Sequence, residues 1–179
     1  MSAFHGTAPL GPREIRVLDL PTSTPGIEVQ VGARCLSGTL RIVNLDDNPK
    51  YSALSYVWGT FSIPCDTLKC SKSSLEIDIT TNCSSALRNL TTKLGALTIW
   101  VDAICINQAS EEEKLQQIPL MRDIYSRATN VYIYLGDSSP GTTAAMNYFR
   151  TYGYQKSLHA DPSDKESFQC LLLRISRPH

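Results

Sequence analysis

Three short apolar segments, separated by helical patterns, constrain the fold of this chain more than any other feature of its sequence. The segments are residues 51–58, 97–105 and 131–136, and each is rich in β-branched or aromatic side chains. Helical spacing of apolar residues fills the interval that follows each segment. Alternation of strand and helix is typical of an α/β fold, so we predict a parallel sheet core flanked by helices.

The residues before this core predict additional β-structure. Residues 15–20 alternate as a strand does, and residues 28–36 and 39–45 alternate similarly. Ser37 and Gly38, which lie between the last two segments, indicate a hairpin turn. A second short hairpin is expected within residues 64–79.

The helical intervals carry recognisable start and stop signals. Thr80 to Asn82 offer capping groups for a helix that Gly95 ends. Ser110 can cap the next helix, but Pro119 lies inside it and predicts a bend near residue 115. A third helix is expected at about residues 142–152. The expected buried face of the second helix consists of Leu115, Ile118, Met121, Tyr125 and Ala128.

Three regions follow from this pattern. Residues 1–13 are expected to be a disordered lead-in, residues 14–154 a single domain, and residues 155–179 a C-terminal tail. The apolar run 171–175 indicates an element truncated from a longer region, with a short terminal helix as the alternative.

Charge and composition exclude several classes of function. The 17 basic and 17 acidic residues give a formal charge of zero, so we expect no nucleic-acid partner. No apolar run approaches the ~20 residues that cross a bilayer, and we expect a cytoplasmic protein without a membrane span. The six cysteines form no C-x-x-C pair and the three histidines lie near the chain ends, so no metal site is predicted.

Polar residues follow the predicted strands at the edge where ligands bind in open parallel sheets. They lie in the segments 56–59, 102–108 and 135–137. Asp102 directly follows a hydrophobic strand, so its carboxylate must be paired or have a shifted pKa. Each of the other residues also has a purely structural interpretation. Trp58 and Tyr56 can be core aromatics, Asn107 and Gln108 can satisfy loop backbone, and Cys105 is an inert thiol because no base is identifiable.

Three blocks of the chain resemble the heterokaryon incompatibility (HET) domain of filamentous fungi. Residues 51–59 (YSALSYVWG) resemble its first motif, and residues 99–108 (IWVDAICINQ) resemble its second. The third block runs from Glu113 to Gly136. Two positions depart from the family pattern: Lys114 stands where Arg is usual, and Pro119 where a helix former is usual.

The resemblance implies an effector domain of allorecognition and programmed cell death. The family has been compared with TIR domains, which implies a flavodoxin-like sheet and, by remote analogy, cleavage of NAD at its nicotinamide glycosidic bond. NAD would then be a substrate, and no cofactor is expected. The resemblance implies Glu113 as first and Asp102 as second candidate for the catalytic acid. The candidate ligand-binding residues are Tyr56, Trp58, Gly59, Cys105, Asn107, Gln108 and Gln117.

A second hypothesis is a non-enzymatic signalling module. It would self-associate, or bind a nucleotide or an unknown allorecognition partner protein, and the carboxylates would then be locked in structural ion pairs. Lys114, Arg122 and Arg127 are the expected partners in those pairs.

Overall fold

The computed structural model describes residues 9–22, 35–59, 66–70, 76–137 and 170–176. These residues form eight strands and four α-helices, with two 3-10 turns. The strands are β1 (Glu14–Leu20), β2 (Cys35–Asn44), β3 (Ser52–Tyr56), β4 (Asp66–Cys70), β5 (Glu76–Ile79), β6 (Leu97–Trp100), β7 (Asn130–Asp137) and β8 (Cys170–Ser176). The helices are α1 (Thr81–Leu94), α2 (Asp102–Cys105), α3 (Glu111–Gln117) and α4 (Met121–Arg127).

The centre of the sheet is parallel and its flanks are not. β3 lies between β6 and β7 and runs parallel to both, which confirms the predicted strand and helix alternation. The complete order is β5-β4-β2-β1-β6-β3-β7-β8, and β1 is antiparallel to both β2 and β6. The α/β class is therefore confirmed as a mixed sheet with a parallel centre, whereas a flavodoxin or TIR-like fold stays a prediction.

Two hydrophobic clusters cover the two faces of this sheet. Leu54 of β3 packs in one cluster with Leu87 of α1. Its neighbour Ala53 packs in the other cluster with Trp100 and with Ile124 of α4. Because successive strand side chains point to opposite faces, α1 and α4 lie on opposite sides of the sheet. The predicted flanking helices are thus present on both faces.

The predicted hairpin turn at Ser37 and Gly38 is wrong, because β2 continues through both residues. Its first half pairs in parallel with β4 and its second half pairs with β1. A Cβ at Gly38 would lie 2.7 Å from Cδ1 of Leu18 and 3.2 Å from the carbonyl oxygen of Asp19. The glycine therefore serves a close approach to β1 and not a turn. Residues 28–34 lie outside the described ranges.

The strand predicted for residues 97–105 is shorter than expected. β6 ends at Trp100, and residues 102–105 form the single turn α2. The backbone N–H of Cys105 donates a 2.7 Å hydrogen bond to the carbonyl of Val101, which closes this turn, and the Asp102 carboxylate accepts a 2.7 Å bond from the backbone N–H of Ala103. The apolar run therefore leaves the sheet after Trp100 and does not remain extended.

The helix after Ser110 is broken later than predicted, at residues 118–120, where Pro119 lies in a 3-10 turn between α3 and α4. The expected buried face is also wrong in part. Leu115 and Ile118 are 75% and 55% exposed, while Gln117 is buried in their place. Tyr125 packs edge-on against Trp100, with ring centroids 5.5 Å apart, as a core residue would.

The chain after β7 is only partly described. The helix predicted at 142–152 lies outside the described residues. The run 171–175 forms β8, antiparallel to β7, so the alternative of a terminal helix is wrong. The hairpin predicted within 64–79 is confirmed as β4 and β5, although its tip is not described.

Candidate functional site

The carboxyl ends of β3, β6 and β7 meet at one edge of the sheet, because the three strands are parallel. Tyr56, the last residue of β3, is paired with Tyr134 of β7. Trp58 follows β3 by two residues, and Asp102 follows β6 by two residues. The topology therefore brings these residues of separate motifs to a common edge, as in ligand sites of open α/β sheets.

Trp58 and Asp102 are joined directly. The indole Nε1–H of Trp58 donates a 3.0 Å hydrogen bond to Oδ2 of Asp102. Trp58 remains 37% exposed, and its neighbour Val57 is 71% exposed. Burial raises the pKa of Asp102, and the hydrogen bonds from Trp58 and from the backbone of Ala103 oppose that rise. The site thus combines a partly desolvated carboxylate with an accessible aromatic surface.

Two features fix the loop that carries Trp58. Gly59 has φ of +72°, a left-handed conformation that side chains disfavour. The Asn82 amide at the start of α1 donates a 3.1 Å bond to the carbonyl of Val57. A Cβ at Gly59 would lie 3.0 Å from that same amide nitrogen. Gly59 therefore allows the strand to turn close to α1 and present Trp58 beside Asp102.

Three titratable groups that interact electrostatically with Asp102 are neutral at physiological pH. Burial raises the pKa of the half-buried Tyr56 far above its usual range, and it raises the pKa of the buried Cys83 thiol to about 12. Burial likewise raises the pKa of Cys105 to about 12, and the Cys105 Sγ accepts the backbone N–H of Val101 at 3.4 Å. These groups are poor nucleophiles, because the reactive form of cysteine is the thiolate.

The amides predicted to bind a ligand make structural hydrogen bonds within the chain. The Gln108 side chain donates a 2.9 Å bond to the carbonyl of Asp102. The Asn107 Oδ1 accepts from the backbone of Ala109. The Gln117 amide donates to the carbonyl of Glu14 at 2.8 Å, and Gln117 is only 1% exposed. These hydrogen bonds hold the loop after Asp102 and the helix α3 in place.

Glu113 is held in a buried ion pair that the sequence did not reveal. Arg16 of β1 donates from Nη1 to Oε1 at 2.5 Å and from Nη2 to Oε2 at 3.1 Å. The side chains of Arg16 and Glu113 are 3% and 12% exposed. Oε1 also accepts the backbone N–H of Asn107 at 2.7 Å. Glu113 therefore fastens the loop after Asp102 to β1, and solvent reaches it poorly.

Arg16 is the residue that sequence reasoning missed. Its signal was a basic side chain directly between the apolar Ile15 and Val17, because a charge that becomes buried beside such residues requires a partner. Because β1 runs antiparallel to β6, the beginning of β1 lies beside the end of β6, where the Asp102 loop starts. None of the expected cations, Lys114, Arg122 or Arg127, makes a described ion pair with Glu113 or Asp102; Lys114 pairs with Glu111.

No group of three or more His, Cys, Asp or Glu side chains in the described parts of the chain could hold a metal ion. Among the described helices, none is long and apolar enough to cross a membrane.

The heterokaryon incompatibility protein (HET) family matches residues 51–175, which include both strand ends and the Asp102 loop. The chain belongs to the HET family. The three motifs that predicted this membership contain residues of the candidate site. The first motif ends at Gly59, the second contains Asp102 and Asn107, and the third begins at Glu113.

A HET relative from Neurospora crassa, heterokaryon incompatibility protein 6, OR allele, is 35% identical over 117 residues. The aligned segment covers 60% of this chain and 17% of that protein. This chain therefore corresponds to a small part of its relative. No solved structure matches the chain.

Proposed function

We propose that this chain is an effector domain of heterokaryon incompatibility that acts in the cytoplasm during allorecognition cell death. Membership of the HET family and the similarity to heterokaryon incompatibility protein 6 support this role. We further propose that the domain cleaves the nicotinamide glycosidic bond of NAD, with Asp102 as the catalytic carboxylate. The hydrogen bond between Trp58 and the half-buried Asp102, at the carboxyl edge of the parallel strands, carries this proposal.

The chemistry requires a carboxylate close to the ribose of NAD. In NAD the bond between ribose C1′ and the pyridinium nitrogen breaks, and nicotinamide leaves with the bonding electron pair. The ribose becomes an oxocarbenium ion, which a carboxylate stabilises, and water then adds to C1′ and releases a proton. Asp102 can supply the carboxylate, while Trp58 can stack on nicotinamide or adenine.

Asp102 takes precedence over Glu113 in this proposal. Both oxygens of Glu113 receive hydrogen bonds from the buried Arg16, and one also binds the backbone of Asn107. Asp102 has no cationic partner among the described residues, and its two oxygens accept one neutral donor each. A carboxylate without a counterion can respond to positive charge that develops on a substrate.

The second candidate function is a non-enzymatic module that binds a nucleotide or an allorecognition partner and kills through assembly. The locked state of Glu113 favours it, since one of the two candidate acids then has a structural task. In this case the Trp58 edge would bind its ligand without turnover.

The test compares nicotinamide release from NAD by the purified chain with release by the Asp102→Asn and Glu112→Gln variants. Glu112 is an exposed acid on α3 and serves as the matched control. We expect turnover by the parent and the control, and a loss of about 100-fold or more in Asp102→Asn. Folding of each variant is checked by circular dichroism.

Two outcomes would overturn the enzymatic proposal: no release by the parent under conditions where a TIR hydrolase is active, or full release by Asp102→Asn. Expression in hyphae separates the remaining possibilities. Death caused equally by the parent and by Asp102→Asn would support the signalling module, and survival in both cases would contradict the effector role.

A further inference from the structure

The helix α3 and the 3-10 turn after it invert the usual amphipathic pattern. Leu115 and Ile118 are 75% and 55% exposed, whereas the polar Gln117 is buried and bonded to the carbonyl of Glu14. The sequence spacing predicted the two apolar residues to be in the core. Because Gln117 occupies the position facing the sheet, the apolar side chains project away from it.

These apolar residues belong to a stripe with a charge at each end. Glu112 and Leu115 lie on α3, Pro119 lies in the 3-10 turn and Arg122 lies on α4, and all four are exposed. The backbone at both junctions stays in the right-handed helical region, so their spacing of three, four and three keeps them near one face across the break. We call these four residues, together with the adjacent Ile118, the α3 stripe. Within the described chain, neither Glu112 nor Arg122 makes an ion pair, although the neighbouring Glu111 pairs with Lys114.

We propose that the α3 stripe is the surface through which two copies of this chain associate about a two-fold axis, with their helices antiparallel. Residue 117 is the midpoint between Glu112 and Arg122 and also between Leu115 and Pro119. An antiparallel pairing centred there places Glu112 of each copy opposite Arg122 of the other, twice. The apolar residues then meet in the middle of the interface.

The charge distribution is what selects a second copy as the occupant. A two-fold interface must be complementary to itself, and a stripe with an acid at one end and a base at the other satisfies this condition. The apolar centre loses solvent and the charged rim fixes the register. The patch is small, so association should be weak and dependent on concentration.

This inference deepens the assembly part of the proposed function and rests on it. Its readout is the mass of the chain in solution, which is independent of nicotinamide release and of hyphal death. Failure of the dimer therefore leaves the catalytic proposal intact, and failure of catalysis leaves the dimer intact.

The first experiment is sedimentation equilibrium of the full chain over a wide range of protein concentration. We expect a monomer and dimer equilibrium whose Kd rises about tenfold or more in Leu115→Gln. Leu94→Gln is the matched control, since Leu94 is an exposed apolar residue at the end of α1, outside the stripe. Its Kd should equal that of the parent.

The second experiment tests the antiparallel register by exchanging charges. Glu112→Arg alone and Arg122→Glu alone each place like charges opposite one another at both ends, so each variant should associate more weakly than the parent. An equimolar mixture of the two variants faces opposite charges at both ends and should form a mixed dimer. Circular dichroism and urea unfolding confirm that each variant is folded.

A parent that stays monomeric at every concentration would overturn the proposal, as would an unchanged Kd in Leu115→Gln. A mixture that associates no better than its components would overturn the two-fold register. Binding of the remaining region of a longer HET protein to a monomeric parent, blocked by Leu115→Gln, would assign the stripe to contact within a longer chain instead.

Discussion

Replacement of Glu113 by Gln should destabilise the domain strongly, although the two side chains have nearly the same shape. The substitution removes the negative charge that faces the Arg16 guanidinium, which is 3% exposed. It also turns one acceptor oxygen into an amide donor. Arg16 donates to both carboxylate oxygens, so at least one of its N–H groups would then face a donor.

The expected loss is about 3 kcal/mol in the free energy of unfolding. Breaking a buried ion pair by removing one partner costs about 3–5 kcal/mol, because the remaining charge is left uncompensated. The lower end applies because Arg16 keeps its 3.4 Å bond to the carbonyl of Cys105, and the new amide oxygen can still accept one hydrogen bond. A loss of that size is a large part of the roughly 5–15 kcal/mol that stabilises a domain. It should lower Tm by about 6–12 °C.

Urea unfolding at equilibrium measures this loss, with Glu112→Gln as the matched control. Glu112 is the preceding residue, is exposed and has no described ion pair, so at protein concentrations where the chain is monomeric its substitution should change stability by no more than about 0.5 kcal/mol. A Glu113→Gln variant within about 1 kcal/mol of the parent would refute the argument that a buried charge depends on Glu113. The result also bears on catalysis, because a destabilised Asn107 loop would explain lost activity without a catalytic role for Glu113.

Three further predictions follow from the same structure. Burial raises the pKa of Asp102, so its carboxyl binds a proton more readily in the native state than in the unfolded chain. The contribution of Asp102 to stability therefore falls as pH rises through the raised pKa. Urea unfolding should show that the stability of Asp102→Asn relative to the parent increases from about pH 4 to about pH 7. Cys83 and Cys105 should resist iodoacetamide at about pH 8 in the native protein and react with it in urea, which peptide mass spectrometry can follow. Rapid labelling of the native protein would contradict their burial and raised pKa. Gly38→Ala should cost about 1–3 kcal/mol in thermal or urea unfolding, because its Cβ would lie 2.7 Å from Leu18, and an unchanged midpoint would show that β1 and β2 can separate without penalty.

Local signals were sufficient for much of the fold. Thr80 caps α1 through its side chain and Gly95 ends it, as capping chemistry predicts. The alternation of strands and helices predicted the parallel centre, since a parallel connection requires a crossover. One error occurred where a residue type serves two purposes. Gly38 served a close approach between strands and not a turn, and nothing near it in sequence distinguishes these uses.

For the candidate site, too, some features followed from the sequence and others only from the tertiary structure. The sequence alone determined the HET motifs and predicted that Trp58 and Asp102 lie at the carboxyl edge of a sheet, because short-range patterns specify strands, helices and their order. Only the tertiary structure decided how these groups differ, since their partners are distant along the chain. Arg16, 97 residues before Glu113, holds that acid in a buried ion pair. Trp58, 44 residues before Asp102, instead gives Asp102 a neutral donor and leaves it without a described counterion. The charge and solvation of a carboxylate depend on what surrounds it in space, and no pattern of neighbouring residues contains that information.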